Sequence, residues 1–190
     1  MKYNSKTHKT ILDPDFNLEE EDFQFKYQDK LTVKLDSISD NFDQNTFNEI
    51  VLWKVNRYAE FDNQTIVLIN EIDKSETIIN VEKTTEILKR LLKTKGVQLA
   101  MASTILRFKN PKIYQIIDQR VYRIIYENQE LKLSNSATDK NLKSQIELYL
   151  NYLKDLREVC DKLKIPFSQS DRILFMADKR INKEHTLKNY

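Results

Sequence analysis

One glycine, Gly96, serves all 190 residues. Glycine supplies left-handed backbone and close backbone approach, and both the Rossmann fingerprint and the phosphate-cradling P-loop need several of them. This chain can build neither. The lone Cys160 likewise removes disulfide frameworks, structural zinc ribbons and Cys-ligated iron–sulfur clusters. The two imidazoles, His8 and His185, sit near opposite ends of the sequence and do not suggest a multi-histidine metal site or a His-based triad. No metal and no cofactor is expected.

A core remains affordable. Hydrophobic residues make up 40% of the chain, with nine Phe and nine Tyr among them, which is enough for one compact domain. Residues 1–22 are polar, with Asp13-Pro14 and the run Glu19-Glu20-Glu21-Asp22, and read as a loosely attached arm before a single domain over 23–190. The opening MKYNSKTHKTILDPDF has no apolar stretch of the secretory kind, and no later run approaches the roughly 18 apolar residues of a membrane span. The expectation is a cytoplasmic protein without membrane association, with a monomer favoured and oligomeric state otherwise open.

Charge is polarised along the chain. Residues 1–80 carry 9 Lys+Arg against 16 Asp+Glu, whereas residues 81–190 carry 22 against 13. Between Lys89 and Arg123 lie nine basic residues and one acid, Asp118. Such a footprint favours a polyanionic partner, and it also fits solvated helix faces balanced by the acidic first half. Charge alone does not separate the two.

Apolar periodicity gives a mainly helical fold. Phe23, Phe25 and Tyr27, then Leu31, Val33 and Leu35, alternate with polar residues and predict a short β-hairpin. From Asp43 the period changes: Phe47, Ile50, Val51, Lys54, Val55 and Tyr58 fall at helical spacing behind Asp43 or Asn45 as N-cap. Helices are then expected over 64–73, 81–93, 97–108 and 118–126. Lys95-Gly96 separates the second and third of these, and Asn110-Pro111 stops the third. Ala100, Ala102 and Ser103 predict an element packed closely against that third helix. After a polar loop over 128–138, Leu142, Ile146, Tyr149, Leu153, Leu156, Cys160 and Leu163 step by four and three along one long helix ending before Pro166. That stripe suits a dimeric coiled coil or, more commonly, the domain's own core, and Cys160 within it reads as packing. Ser168 with Asp171 resembles a capping box for a last helix to about Asn182.

The stretch Leu91 to Tyr126, LLKTKGVQLAMASTILRFKNPKIYQIIDQRVYRIIY, carries the functional signal. It resembles the helix-hairpin-helix superfamily of DNA base-excision glycosylases, whose pattern is a Leu-Pro-Gly-Val-Gly hairpin, an apolar helix, and a catalytic Asp in a Val-Asp-Thr-His-Val-x-Arg context. Gly96-Val97-Gln98 stands for Gly-Val-Gly, and Ile117-Asp118-Gln119-Arg120-Val121-Tyr122-Arg123 for the segment with the Asp. The 18-residue interval from the family's Lys position to its Asp is kept from Ala100 to Asp118. The resemblance implies a helical glycosylase-like domain that binds duplex DNA, and a monofunctional DNA glycosylase of base-excision repair. It makes Asp118 the catalytic carboxylate that stabilises the oxocarbenium character developing at the deoxyribose carbon. It also makes Lys93, Lys95, Gly96, Val97, Gln98, Arg107, Lys109 and Arg120 the nucleic-acid-binding set.

The residues support a phosphate site in their own right, since a helix opening after Gly96 presents unpaired N–H groups and a positive dipole end, with Lys93 and Lys95 beside it. The chain departs from the pattern in three places. Ala100 replaces the Lys of bifunctional members, so β-lyase chemistry by that route is not expected. Gln98 replaces the second hairpin glycine, and Lys95 the proline. Asp118 also has a structural reading, as an N-cap or the partner of Arg120, in a non-catalytic DNA-binding or regulatory module of the same fold. Gly96 alone would read as an ordinary C-cap. Trp53 and Tyr58 suit base stacking or, more often, a core, and Lys54 with Arg57 suits a nucleic-acid backbone or plain solvation.

Overall fold

The computed structural model describes residues 28–39, 41–55, 58–126, 129–133, 137–185 and 187. The expected arm over 1–22, the first hairpin strand over 23–27, His8 and Arg57 lie outside the described residues. Among those described, the fold is mainly helical, with no strand. Its elements are α1 (Asp29–Asp36), α2 (Gln44–Lys54), α3 (Asn63–Asn70), α4 (Val81–Lys93), α5 (Leu99–Lys109), α6 (Gln119–Ile125), α7 (Asp139–Leu163), a 3-10 turn (Phe167–Gln169) and α8 (Ser170–Ile181). The chain divides into two compact units between Tyr58 and Ala59.

In the first unit the predicted second strand is a helix. Leu31 and Leu35 are spaced by four as well as by even steps, so they satisfy both periods. Leu31 is buried and Leu35 half-buried on one helical face, while Val33, which a strand would place beside them, is 68% exposed. Asp43, rather than Asn45, caps α2 by accepting from the Thr46 N–H at 2.7 Å. Trp53 ties α2 to α1, its Nε1 donating to Thr32 Oγ1 at 2.9 Å while Gln28 Nε2 donates to the Trp53 carbonyl at 3.0 Å. Phe47, Val51 and Val55 remain exposed, so the apolar positions of α2 do not form a buried stripe.

The second unit is built around α7. Its stripe from Leu142 to Cys160 is buried in one apolar cluster with residues of α4, α5 and α6, and Tyr149 and Tyr152 are among the largest fully buried side chains. At its C-terminus Lys164 adopts a left-handed φ of 55°, and the Ile165 N–H reaches the Cys160 carbonyl at 3.1 Å, turning the chain ahead of Pro166. The capping box expected at Ser168 does not form. Residues Phe167–Gln169 make the 3-10 turn that runs straight into α8, and Asp171 turns inward to Arg107.

The segment between α5 and α6 is irregular yet largely buried, so its backbone must be satisfied by side chains. Asn110 Nδ2 donates to the carbonyls of Asp73 at 2.6 Å and Glu76 at 3.0 Å. The Tyr149 and Tyr152 hydroxyls donate to the carbonyls of Gln115 and Ile116 at 2.9 and 2.7 Å. The Ile117 N–H donates to Ser103 Oγ at 3.2 Å, which explains the small residues of α5: this segment is the element packed against them. The segment delivers Asp118.

Candidate functional site

Two structural features occupy the stretch singled out by sequence. The first is the turn joining α4 to α5. The Thr94 hydroxyl donates back to the Arg90 carbonyl at 3.1 Å, the Val97 N–H to the Thr94 carbonyl at 3.1 Å, and Gly96 takes a φ of 83°. A Cβ at Gly96 would meet nothing within 4 Å, so this glycine serves the backbone angle and not a tight contact. Val97 is buried beneath the turn. Lys93, Lys95, Gly96 and Gln98 lie exposed around it. Gln98 is extended at the head of α5, which has no side-chain cap, whereas α2, α3, α4, α6 and α7 each have one.

The second feature surrounds Asp118. Its side chain caps α6, with Oδ1 accepting from the N–H groups of Arg120 at 2.7 Å and Val121 at 3.2 Å. The residue is half-buried and borders a cleft of about 310 Å³ whose other walls are Ile116, Val121, Asp171, Arg172, Phe175 and Met176. Ligand clefts run from roughly 300 Å³ upward, so the space lies at the small end of that range. Its lining is mostly apolar, with Asp118 and Asp171 as its carboxylates and Arg172 as its cation.

The remaining predicted nucleic-acid contacts are dispersed. Arg107 lies inside the unit, its Nε 3.3 Å from Asp171 Oδ2 and its Nη2 donating to the Ser168 carbonyl at 3.3 Å. Lys109, at the far end of α5, donates to Asn70 Oδ1 at 3.2 Å. Lys109 is eleven positions after Gln98, or roughly 16 Å of helix away, so it does not share the turn's surface. Arg120 donates to Asp178 Oδ2 at 3.1 Å, and its guanidinium stands over the Phe175 ring at 5.7 Å.

Asp178 is fully buried and was not foreseen. It also accepts from Arg123 Nε at 2.7 Å, from Arg123 Nη2 at 2.8 Å and from Asn182 Nδ2 at 2.7 Å. Burial alone would raise its carboxyl, but the hydrogen bonds from Arg123, Asn182 and Arg120 outweigh that and hold it below the ordinary carboxylate value. A signal for it existed. Asp171, Leu174 and Asp178 fall at i, i+3 and i+7 on one face of α8, and acids within an apolar stripe must meet cations inside.

Among the described residues no helix is long and apolar enough to cross a membrane. No protein-family model, curated protein or solved structure matches the chain.

Proposed function

We propose that this chain is a DNA-binding, monofunctional glycosylase-like protein in which the turn between α4 and α5 holds duplex backbone and Asp118 promotes cleavage of the N-glycosidic bond of a flipped base. One observation carries the reading: the segment leading to Asp118 docks through Ile117 on Ser103, five residues along the helix that opens at Gln98. The turn and the segment that delivers Asp118 to its cleft thus share the first half of α5 as their support. In this reading the phosphate takes the N–H groups that open α5, with Lys93 and Lys95 adding charge but no sequence preference. The flipped base lodges in the apolar cleft. As its bond to the sugar breaks, the electron pair leaves with the base, Asp118 stabilises the cationic sugar, and water adds to the anomeric carbon, the proton it loses neutralising the departed base. Ala100 offers no amine for a Schiff base, so the product is an intact abasic site.

Asp118→Asn tests this directly. Duplex affinity and a preference for a cationic abasic-site analogue over undamaged DNA are expected in the wild type, and base release, followed over duplexes bearing single damaged or modified bases, is expected to vanish in the variant. Equal release by both proteins would overturn the catalytic assignment. The hydrogen bonds that Asp118 Oδ1 accepts from the N–H groups at the head of α6 favour one rival, a non-catalytic DNA-binding or regulatory module in which Asp118 is a cap. That rival predicts salt-dependent duplex binding with no preference for the abasic analogue.

A further inference from the structure

We propose that the DNA-contacting surface continues from the α4–α5 turn onto the first two turns of α7, where Lys140 and Lys143 meet a neighbouring stretch of phosphodiester backbone and Asp139 weakens the hold. The inference rests on the duplex-binding reading above and adds the direction in which the backbone runs.

Lys89 and Lys93 are exposed at i, i+4 on α4, and Lys140 and Lys143 are exposed at i, i+3 on α7. One contact joins these two faces: Lys93 Nζ lies 3.9 Å from Asp139 Oδ1, with side chains 59% and 97% exposed. An ion pair so long and so open is worth little, so Lys93 is not committed to Asp139 and can turn to a phosphate. Lys95 extends the same surface from the turn. Five lysines are thereby grouped with two carboxylates, Asp139 and the Glu147 that stands 3.9 Å from Lys143. The other flank of α4 is different. Arg90 is half-buried there and occupied by Glu86 at 3.4 Å and Asp62 at 4.0 Å, so the positive surface does not extend toward α3. A polyanion seated on the turn therefore finds its next cations on α7. Asp139, the most exposed acid of the group, faces the same phosphates and opposes them.

The test is fluorescence anisotropy of a labelled undamaged duplex over a salt series with the full chain. Each phosphate contact contributes about 0.9 to the steepness of the log–log plot. Lys140→Glu with Lys143→Glu should make the slope shallower by about 1.8, and Asp139→Lys should steepen it by about 0.9 and tighten binding. Lys154→Glu, exposed but about three turns further along α7, should leave both unchanged. Because Asp139→Lys is expected to gain affinity, a folding defect cannot imitate the result. If the α7 variants behave like Lys154→Glu while Lys93→Glu with Lys95→Glu weakens binding, the extension is overturned and the duplex-binding turn stands. Absence of salt-dependent binding by the wild type overturns both.

Discussion

Asp118 has two possible duties, and they respond differently to the same pair of substitutions. As an N-cap it is replaceable by Asn, whose side-chain oxygen accepts equally well, whereas Ala removes the acceptor at a cost of about 1 kcal/mol. As a catalytic group it is replaceable by neither, because stabilising a cationic sugar requires the negative charge. Asp118→Asn is therefore expected to leave the thermal midpoint nearly unchanged and abolish base release, while Asp118→Ala loses both; differential scanning calorimetry beside the release assay separates them. Gly96 poses a comparable question. Its φ of 83° lies in the region that costs other residues about 1–2 kcal/mol, and the space around its missing Cβ is open. Gly96→Ala should thus destabilise by about 1 kcal/mol through backbone strain alone, measurable by urea denaturation; loss of several kcal/mol would mean that the turn has no way to relax.

At the scale of elements, α6 is held to α8 by charge inside an apolar contact. Asp178 draws in Arg120 and Arg123 from α6 and Asn182 from beyond the end of α8, so the helix that begins at Asp118 is fixed in orientation two and five residues after it. Removing the charge takes a strong acceptor from two guanidinium groups that are each about one-fifth exposed, and Asp178→Asn is expected to cost about 2–3 kcal/mol. The pH dependence has a definite sign. A carboxyl held below its unfolded value of about 3.9 contributes stability that is fully present above that value and is lost as pH falls through the lower, folded one. Acid titration of the wild type should show this loss below about pH 4, and Asp178→Asn should flatten that limb; an unchanged limb would mean that other carboxylates dominate. These helices were legible where one face is apolar and the caps are local: the stripe of α7 and the break at Gly96 can be read from the sequence. Residues 31–35 were not, because a spacing of four suits helix and strand alike, and only burial of Leu31 with exposure of Val33 decides. Nor were the partners of Arg107 and Arg120. Sequence assigns both to a nucleic-acid-binding surface and offers Arg120 the nearby Asp118 as a partner, yet the carboxylates their guanidinium groups meet lie 64 and 58 positions away on α8, and such pairings are created by packing.

Over the whole molecule, the uneven charge of the sequence maps onto two compact units. Residues 1–58 carry 8 Lys+Arg and 11 Asp+Glu, and residues 59–190 carry 23 and 18, so the formal +2 of the chain conceals a unit of +5. The principal buried cluster, from Ile72 to Leu174, also belongs entirely to the second unit. A chain of residues 59–190 therefore retains the apolar core, the α4–α5 turn, Asp118 and its cleft, and loses a net negative contribution. It is expected to unfold in a single cooperative transition. It should also bind duplex DNA at least as tightly as the full chain at low salt, with the difference shrinking as ionic strength rises and the Debye length falls to about 8 Å near 0.15 M. Parallel salt titrations of both chains check this. Tighter binding that converges with salt would show residues 1–58 acting on DNA through their charge, whereas binding lost at every salt concentration would place contacts essential to the complex within those residues.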